Sequence, residues 1–403
     1  MTADERRASG SLAMIFAARM LGLFLVLPVF ALEAARYPGG TDPARIGLAM
    51  GIYGLTQGCL QYAYGMASDR FGRKRTIVFG LVIFAVGSFV AAAAHSIDWL
   101  IIGRAVQGAG AVSAAVTALL ADQTRDEVRT KAMALVGASI GLMFAVSLVA
   151  APLLAAHIGL SGLFTVTGAL ALLCIAIVGW WTPAEPRQHK NVPRGRLGEV
   201  LANAALLRLD VGVFILHAVQ VAMWVAIPAL LVQAGLPKDV QWHVYLPAVL
   251  ASFFVMGATL FPLERRGHLR AVFLAAIAVV AAVQIGLLVT AGQPGVLTLG
   301  VLLFLFFCGF NVLEASQPSL ASRLAPPHAR GSALGVYNTL QSLGFFAGGA
   351  VGGWLAKNVG PAGLFGTCAA LMLVWLVAAW PMRAPRPRQS AEEVLADDAQ
   401  ATP

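Results

Sequence analysis

Twelve apolar runs of about twenty residues each dominate the sequence, and no other feature constrains the fold as strongly. A helix of that length crosses a hydrocarbon core of about 30 Å, so each run predicts one transmembrane helix. Apolar residues make up 59% of 403 positions and charged residues only 12%. These charged residues are too few to cover the surface of a water-soluble protein of this length. We therefore predict an all-α, polytopic membrane protein with spans at 12–32, 45–67, 76–94, 99–120, 131–155, 158–181, 209–233, 243–263, 271–291, 296–321, 331–356 and 361–382.

Most of the 28 lysine and arginine residues fall on one side of these spans. Four lie on the other side and two lie inside spans, which leaves 22 on the side of the N-terminus. By the positive-inside rule that side is cytoplasmic, so we predict a bacterial inner-membrane protein with both termini in the cytoplasm. The net charge of +9 does not indicate nucleic-acid binding, because the basic residues of the chain lie in short loops between spans.

The chain divides into four predicted regions. Two six-helix halves, 1–181 and 209–382, flank a polar, basic linker at 182–208, and a tail at 383–403 is predicted to be disordered. Residues 69–73 are echoed at 264–268, and residues 129–133 are echoed at 330–334, at a similar offset. This agreement predicts two parallel repeats related by an axis along the membrane normal.

The loop between spans 2 and 3 carries a specific motif. Its sequence GMASDRFGRKR, at 65–75, resembles a signature of the major facilitator superfamily, and RAVQGAG at 104–110 resembles a second motif of that family. Segments such as 19–22 and 51–57 are similar to the YajR branch of drug:proton antiporters. The resemblance implies the major facilitator fold, with a central cavity lined by spans 1, 4, 7 and 10.

The signature loop is predicted to form a cytoplasmic gate with residues Gly65, Asp69, Arg70, Gly72, Arg73 and Asp122. Asp69 is expected to accept hydrogen bonds at the N-terminus of span 11, where the helix dipole favours an anion. Arg73 is expected to pair with Asp122, and both contacts would hold the halves together. The alternative is that the basic residues of this loop act only as a topology signal.

Arg19, Arg104, His217 and Glu314 are ionisable side chains inside predicted spans. A charge at the bilayer centre costs about 2.5–3.5 kcal/mol, so they should face a water-filled cavity or one another. Carboxyl and imidazole groups in such surroundings can exchange protons near neutral pH, which predicts that this set couples transport to protons. The alternatives are a static ion pair between Arg19 and Glu314, and an Arg104 that extends to the outer interface.

A mixed aromatic and polar lining is predicted for the substrate cavity, and it suits amphipathic organic molecules. The lining residues are Tyr53, Gln57, Gln220, Trp224, Asn311, Tyr337 and Gln341. Helix packing or hydrogen bonding between helices explains any single one of them equally well.

Several functional classes are excluded by missing motifs. No Gly-Lys pair occurs, so the chain lacks the phosphate-binding loop of an ATP-driven pump. The G-x-S-x-G match at 137–141 lies inside a predicted span rather than at a strand-to-helix turn, so it does not indicate a hydrolase. No histidine pair has zinc-site spacing. We expect no enzymatic activity, no cofactor and no metal.

The predicted function is secondary active transport by a monomer in contact with membrane lipid. The leading interpretation is a proton-coupled antiporter that exports a hydrophobic or amphipathic small molecule. Proton symport or facilitated uptake of a small nutrient remains the alternative, and a non-transporting membrane sensor is a more remote one.

Overall fold

The computed structural model of the chain describes residues 1–110, 112–185, 197–326 and 329–382. Within these ranges the secondary structure is helical and contains no strand. The α-helices are α1 (Ala3–Val26), α2 (Phe30–Ala34), α3 (Pro43–Phe71), α4 (Arg73–Ala92), α5 (Ile97–Gly108), α6 (Ser113–Asp122), α7 (Asp126–Ala176), α8 (Leu197–Leu201), α9 (Ala204–Gln233), α10 (Trp242–Arg265), α11 (Leu269–Thr290), α12 (Val296–Leu324), α13 (Arg330–Asn358) and α14 (Gly360–Ala379).

Side-chain caps define where several of these helices begin. Thr2 and Glu5 form a reciprocal capping box at the start of α1. Asp42 accepts a hydrogen bond from the amide of Ala44 at the start of α3, directly before Pro43. Asn203 caps α9 in the same way, so this helix starts five residues before the predicted span.

The helices depart from the predicted spans at two places, since one span is divided and two others are joined. Span 4 is divided into α5 and α6. Spans 5 and 6 lie together in α7, which contains one non-helical residue, Gly159, with φ of 62°. Because a side chain disfavours positive φ, a glycine at this position permits the sharp reversal between the two spans.

Nine helical segments of the described residues are long and apolar enough to cross a membrane. One of them, Ser139–Trp181, contains parts of both predicted spans 5 and 6. Helices α3 and α13, which correspond to spans 2 and 11, are not among the nine. The chain is therefore a polytopic helical membrane protein, and the total of twelve spans stays a prediction.

The contact between α3 and α13 joins the N-terminal helices to the C-terminal helices. A Cβ atom added at Gly51 would lie 2.6 Å from the carbonyl oxygen of Phe346, and one added at Gly349 would lie 2.6 Å from the amide nitrogen of Gly51. Small residues thus allow the two backbones to touch, as is common between membrane helices.

This contact opens towards one end. An added Cβ at Gly58 would meet Leu343 at 3.4 Å, whereas Gly65, Gly331 and Gly335 have nothing within 4 Å of that position. We call the two ends of the bundle the Asp42 end and the Asp69 end, after residues at the two ends of α3. The two helices are in close contact near the Asp42 end and diverge towards the Asp69 end.

The predicted regions at 182–208 and 383–403 lie partly or wholly outside the described residues. The linker is described at 182–185 and from 197 onward, where α8 and the first turn of α9 are found. The side chains at 129–131, 265 and 330, which entered the topology and repeat predictions, are also outside it. The division into four regions stays a prediction.

Candidate functional site

Arg19 lies in α1 and is 3% exposed. Its Nη1 donates to Ser113 Oγ at 2.8 Å, and its Nη2 donates to the Tyr53 hydroxyl at 2.8 Å and to Gln57 Oε1 at 3.1 Å. The guanidinium also lies over the ring of Phe84, 5.7 Å from its centroid. Every one of these partners is electrically neutral, and the buried Nε has no hydrogen-bond partner within the described part of the chain.

Arg104 lies in α5 and is also buried, at 5% exposure. It donates to Gln107 Oε1 at 2.6 Å and, through longer bonds of 3.4 Å, to the backbone oxygens of Ala49 and Met50. Its guanidinium stacks over Tyr53 at 4.8 Å. The side chain therefore turns into the bundle and joins α5 to α3, rather than extending to an outer interface.

His217 of α9 and Glu314 of α12 form the third charged group. His217 Nε2 lies 3.2 Å from Glu314 Oε2, within ion-pair distance but without the angles of a hydrogen bond. The Gln341 amide reaches both residues, at 2.9 Å from His217 Nε2 and 3.3 Å from Glu314 Oε1. His217 Nδ1 lies 2.8 Å from the oxygen of Val213, which fixes the ring.

The contact between Arg19 and Glu314 considered from the sequence is not formed. Arg19 is held by the N-terminal helices, and Glu314 is held by His217 and Gln341 of the C-terminal helices. Equal depth in two helices does not bring side chains together when each finds partners within its own half. A hydrogen bond of 3.1 Å from Gln57 Nε2 to Ser342 Oγ links the two groups of helices beside both sites.

The other predicted lining residues are largely engaged in helix packing. Asn311 donates to Ser252 of α10 at 2.8 Å, and Trp224 packs edge-on against Tyr245 at 5.2 Å. Gln220 and Tyr337 are buried, at 5% and 3% exposure. Their role as substrate contacts stays a prediction.

The sequence analysis did not single out Asp210, a carboxylate that the structure buries. Asp210 is the second residue of predicted span 7, but α9 begins at Ala204, so it lies nearly two turns inside the helix at 3% exposure. Among the residues that the structure describes, its Oδ2 has no hydrogen-bond partner, and neither has the hydroxyl of Tyr337. Tyr337 lies within electrostatic range of both Asp210 and Glu314. The capping residue Asn203 is the sequence signal that extends this helix.

The signature loop forms an ionic cluster at the Asp69 end. Arg73 pairs with Asp69 at 2.5 Å and with Asp122 at 3.0 Å, and it donates to Ser68 Oγ at 2.7 Å. The predicted pair of Arg73 and Asp122 is present. It joins α4 to α6, so it holds N-terminal helices together rather than bridging the halves.

Gly72 separates α3 from α4 with φ of 99°, a conformation that side chains disfavour. The adjacent amides of Arg73 and Lys74 donate to the Glu185 carboxylate at 3.1 and 2.5 Å. Glu185 belongs to the linker and occupies the positive end of the α4 dipole. Arg70 instead lies over the ring of Phe71, at 5.5 Å.

At the opposite, Asp42 end, two ion pairs join the N-terminal to the C-terminal helices. Lys238 pairs with Glu33, which also contacts Arg36 at 3.0 Å. Lys357, at the end of α13, pairs with Asp42 at 2.8 Å. The second pair joins the start of α3 to the end of α13, where these helices are in close contact, so the halves are closed at this end.

The helical bundle, its buried charges and the contact between its two halves define an integral, multi-pass membrane transporter. A family model described as Major Facilitator Superfamily matches residues 12–349 and 320–401. The chain belongs to the major facilitator superfamily, whose members are transporters rather than enzymes.

Relatives of similar length support this assignment. The chain is 40% identical over 389 residues to the "Inner membrane transport protein YajR" of Escherichia coli (strain K12), covering 96% of this chain and 85% of that protein. It is 29% identical over 362 residues to the "Multidrug resistance protein MdtH" of Enterobacter sp. (strain 638), covering 83% of each.

Solved structures share the fold. The human organic anion transporter MFSD10 (TETRAN) matches with a TM-score of 0.69 and 18% identity, over 94% of this chain and 100% of that one. A crystal structure of the nucleoside transporter NupG matches with a TM-score of 0.73 and 14% identity, over the same shares. At these identities the likeness shows the fold alone.

Proposed function

We propose that the chain is a proton-coupled antiporter that exports a hydrophobic or amphipathic small molecule by alternating access, with both termini on the cytoplasmic side of a bacterial inner membrane. The observation that carries this proposal is the approach of His217 Nε2 to Glu314 Oε2, at 3.2 Å inside the bundle. A carboxyl and an imidazole at this distance form a site for one exchangeable proton.

The hydrogen bonds around His217 define how this proton is held. The oxygen of Val213 can only accept, so His217 Nδ1 donates to it and leaves Nε2 facing Glu314. If both Nε2 and Oε2 lacked a proton, two acceptors would oppose each other at 3.2 Å. One proton, on either atom, turns this repulsion into attraction. The amide of Gln341 can orient to suit either state.

The two partners differ in their exposure. The His217 side chain is 2% exposed, whereas that of Glu314 is 40% exposed. Glu314 can therefore exchange its proton with the space between the helices, while His217 holds a fixed position. This division of roles suits a coupling site in which one group meets water or substrate and the other sets its charge.

The packing of α3 and α13 supports alternating access. The halves touch at the Asp42 end and diverge towards the Asp69 end, which the charge distribution predicts to be cytoplasmic. In this arrangement Glu314 would face the cytoplasm, where a compound for export is bound.

Export is favoured over uptake by the name of the MdtH relatives, which are multidrug resistance proteins. Proton symport of a nutrient is the second candidate, since a single proton site serves either direction of flux. The sign of the response to a pH gradient distinguishes the two.

The test is proton flux in vesicles that contain the purified protein and the enclosed pH dye pyranine. Anionic, neutral and cationic aromatic amphipaths are added with and without a pH gradient. We expect Glu314→Gln to abolish gradient-driven flux and to spare exchange of labelled for unlabelled compound, because an amide mimics the protonated acid but cannot release a proton. Asp98→Asn, at a carboxylate that is 67% exposed, is the control.

Gradient-driven accumulation by the Glu314→Gln variant would exclude Glu314 as the coupling group. Flux of compound and proton in the same direction would show that the chain is a symporter rather than an antiporter. A chain that binds compounds but moves none of them would be a sensor.

A further inference from the structure

The two buried arginines of the N-terminal helices both donate to neutral groups, but they differ in how fully their hydrogen bonds are satisfied. Arg104 donates mainly to fixed groups, two backbone oxygens and Gln107, and is covered by the Tyr53 ring. Arg19 contacts only neutral side chains, and no carboxylate of the described residues lies within 4.0 Å of it. Buried charged groups normally have all their donors satisfied, so a guanidinium at 3% exposure whose Nε has no partner among the described residues retains the capacity to bind one further group.

The free hydrogen-bonding capacity of Arg19 lies on one edge of its guanidinium. Nε has no partner, and the adjacent Nη2 is shared between the Tyr53 hydroxyl and Gln57 Oε1. Nε and Nη2 form the side edge of the planar fork that binds both oxygens of a carboxylate, sulfonate or phosphate. Tyr53 and Gln57 each offer Nη2 a single oxygen, at 2.8 and 3.1 Å, while Nε has no partner among the described residues.

Gln57 connects this edge to the other half of the protein. Its Oε1 accepts from Arg19 while its Nε2 donates to Ser342 Oγ at 3.1 Å. An anion that replaced Gln57 on Arg19 would free Gln57 and weaken its bond to Ser342. Binding at Arg19 would then act directly on the contact between α3 and α13.

We infer that Arg19 is the recognition site for an anionic substrate group, held by Nε and Nη2, and that Gln57 occupies this site until the substrate arrives. This inference rests on the proposed transport function and adds the substrate class, an amphipathic organic anion. The neighbouring charges agree with it: His217 and Glu314 with one shared proton are neutral as a pair, so the positive charge of Arg19 faces the interior uncompensated.

Three compounds with one aromatic body separate charge from hydrophobicity: 1-naphthaleneacetate, the neutral 1-naphthaleneacetamide and the cationic 2-(1-naphthyl)ethylammonium. Their dissociation constants are measured by calorimetric titration of the purified full chain in an uncharged detergent at pH 7, without a gradient. We expect the carboxylate to bind about tenfold more tightly than either other compound, the usual gain from a charge-assisted bond.

Variants at Arg19 test the assignment. Arg19→Gln should remove the preference for the carboxylate, and Arg19→Lys should keep part of it, since a point charge replaces the fork. The control is Arg36→Gln at an arginine whose side chain is 62% exposed, and it should keep the full preference.

Gln57→Ala provides a test that does not depend on losing the arginine. It removes the group that competes for Arg19, so it should raise carboxylate affinity several-fold and leave amide affinity unchanged. If Arg19 only stabilises the fold, Gln57→Ala would leave the ratio of carboxylate to amide affinity unchanged, which would overturn the inference. Tighter binding of the amide or the ammonium by the unmodified chain would also overturn it.

The anion site and the proton site can fail independently. Glu314→Gln should retain the carboxylate preference while it loses gradient-driven flux. A chain that prefers the carboxylate but shows no response to a pH gradient would contradict proton coupling and leave the anion site standing. A chain that shows proton-coupled flux without any carboxylate preference would contradict the anion site and leave proton coupling standing.

Discussion

Gln57 Nε2 donates a hydrogen bond of 3.1 Å to Ser342 Oγ, and this contact connects the two halves of the transporter beside both of its candidate charged sites. Gln57 binds Arg19 through its other amide atom, and Ser342 follows Gln341, which contacts His217 and Glu314. The anion site and the proton site therefore lie on opposite sides of one contact between helices, and a change at either site bears on it.

Ser342→Ala removes the acceptor of this contact and leaves Gln57 on Arg19. A neutral hydrogen bond contributes about 0.5–1.5 kcal/mol. The ratio of the state in which α3 and α13 are closed at this contact to the state in which they are open should therefore fall by up to about tenfold. The measurement is the rate at which a cysteine placed at Leu343 reacts with a water-soluble maleimide. Unchanged reactivity would mean that the contact does not restrain the two helices.

Two glycines on α13 make a matched pair for helix packing. Gly349→Ala would place a Cβ 2.6 Å from the amide nitrogen of Gly51, so it should lower stability by about 1–3 kcal/mol through overpacking. Gly335→Ala meets nothing within 4 Å and should be neutral or stabilising by up to about 1 kcal/mol. Thermal unfolding of both variants in one detergent tests this contrast, and equal midpoints would contradict the packing observed.

The roles of the two ring nitrogens of His217 can be tested separately. His217→Asn keeps a donor for the oxygen of Val213 but leaves the Nε2 position empty, whereas His217→Gln places an amide near that position. Neither side chain can bind a proton, so both variants should weaken the dependence of transport on pH. We expect only His217→Gln to retain near-normal exchange without a gradient. A preserved pH profile in both variants would place the proton elsewhere.

Asp69→Asn tests the signature loop. The variant removes one partner of Arg73 but leaves Asp122, so the cluster should weaken without unfolding the N-terminal helices. If Asp69 also binds the start of span 11 in the closed state, a cysteine on the cytoplasmic half of α13 should become more reactive during transport. Lost compound binding with unchanged reactivity would instead assign Asp69 to the binding site.

Lys357→Gln tests the closed end. The hydrogen bond from Lys357 lowers the pKa of Asp42 below its ordinary value. The pKa of Asp42 is thus lower in the folded state than in the unfolded state, where it is about 3.9. The stability that the ion pair contributes is fully present above the unfolded-state pKa and is lost as the pH falls through the folded-state pKa. The stability difference between the two proteins should thus be constant from about pH 5 to 8 and shrink below about pH 4. A difference that grows on acidification would exclude this pair as its source.

Local patterns predicted the helices but not all of their ends. Long apolar runs specify helices in a membrane because the backbone must satisfy its own hydrogen bonds there, so the all-helical class followed directly. The start of α9 at Ala204 depended on the cap at Asn203, which a scan for apolar residues passes over. That omission placed Asp210 at the edge of the predicted span, where a carboxylate is expected to be exposed, although it is buried.

The sequence by itself identified four ionisable groups of the helical bundle, since Arg19, Arg104, His217 and Glu314 interrupt apolar runs whatever their partners are. Only the tertiary structure decided those partners. Hydrogen bonds act over about 3 Å, so a small rotation of a helix decides which neighbour a side chain meets. For this reason Glu314 contacts His217, and Arg19 is left with neutral partners only.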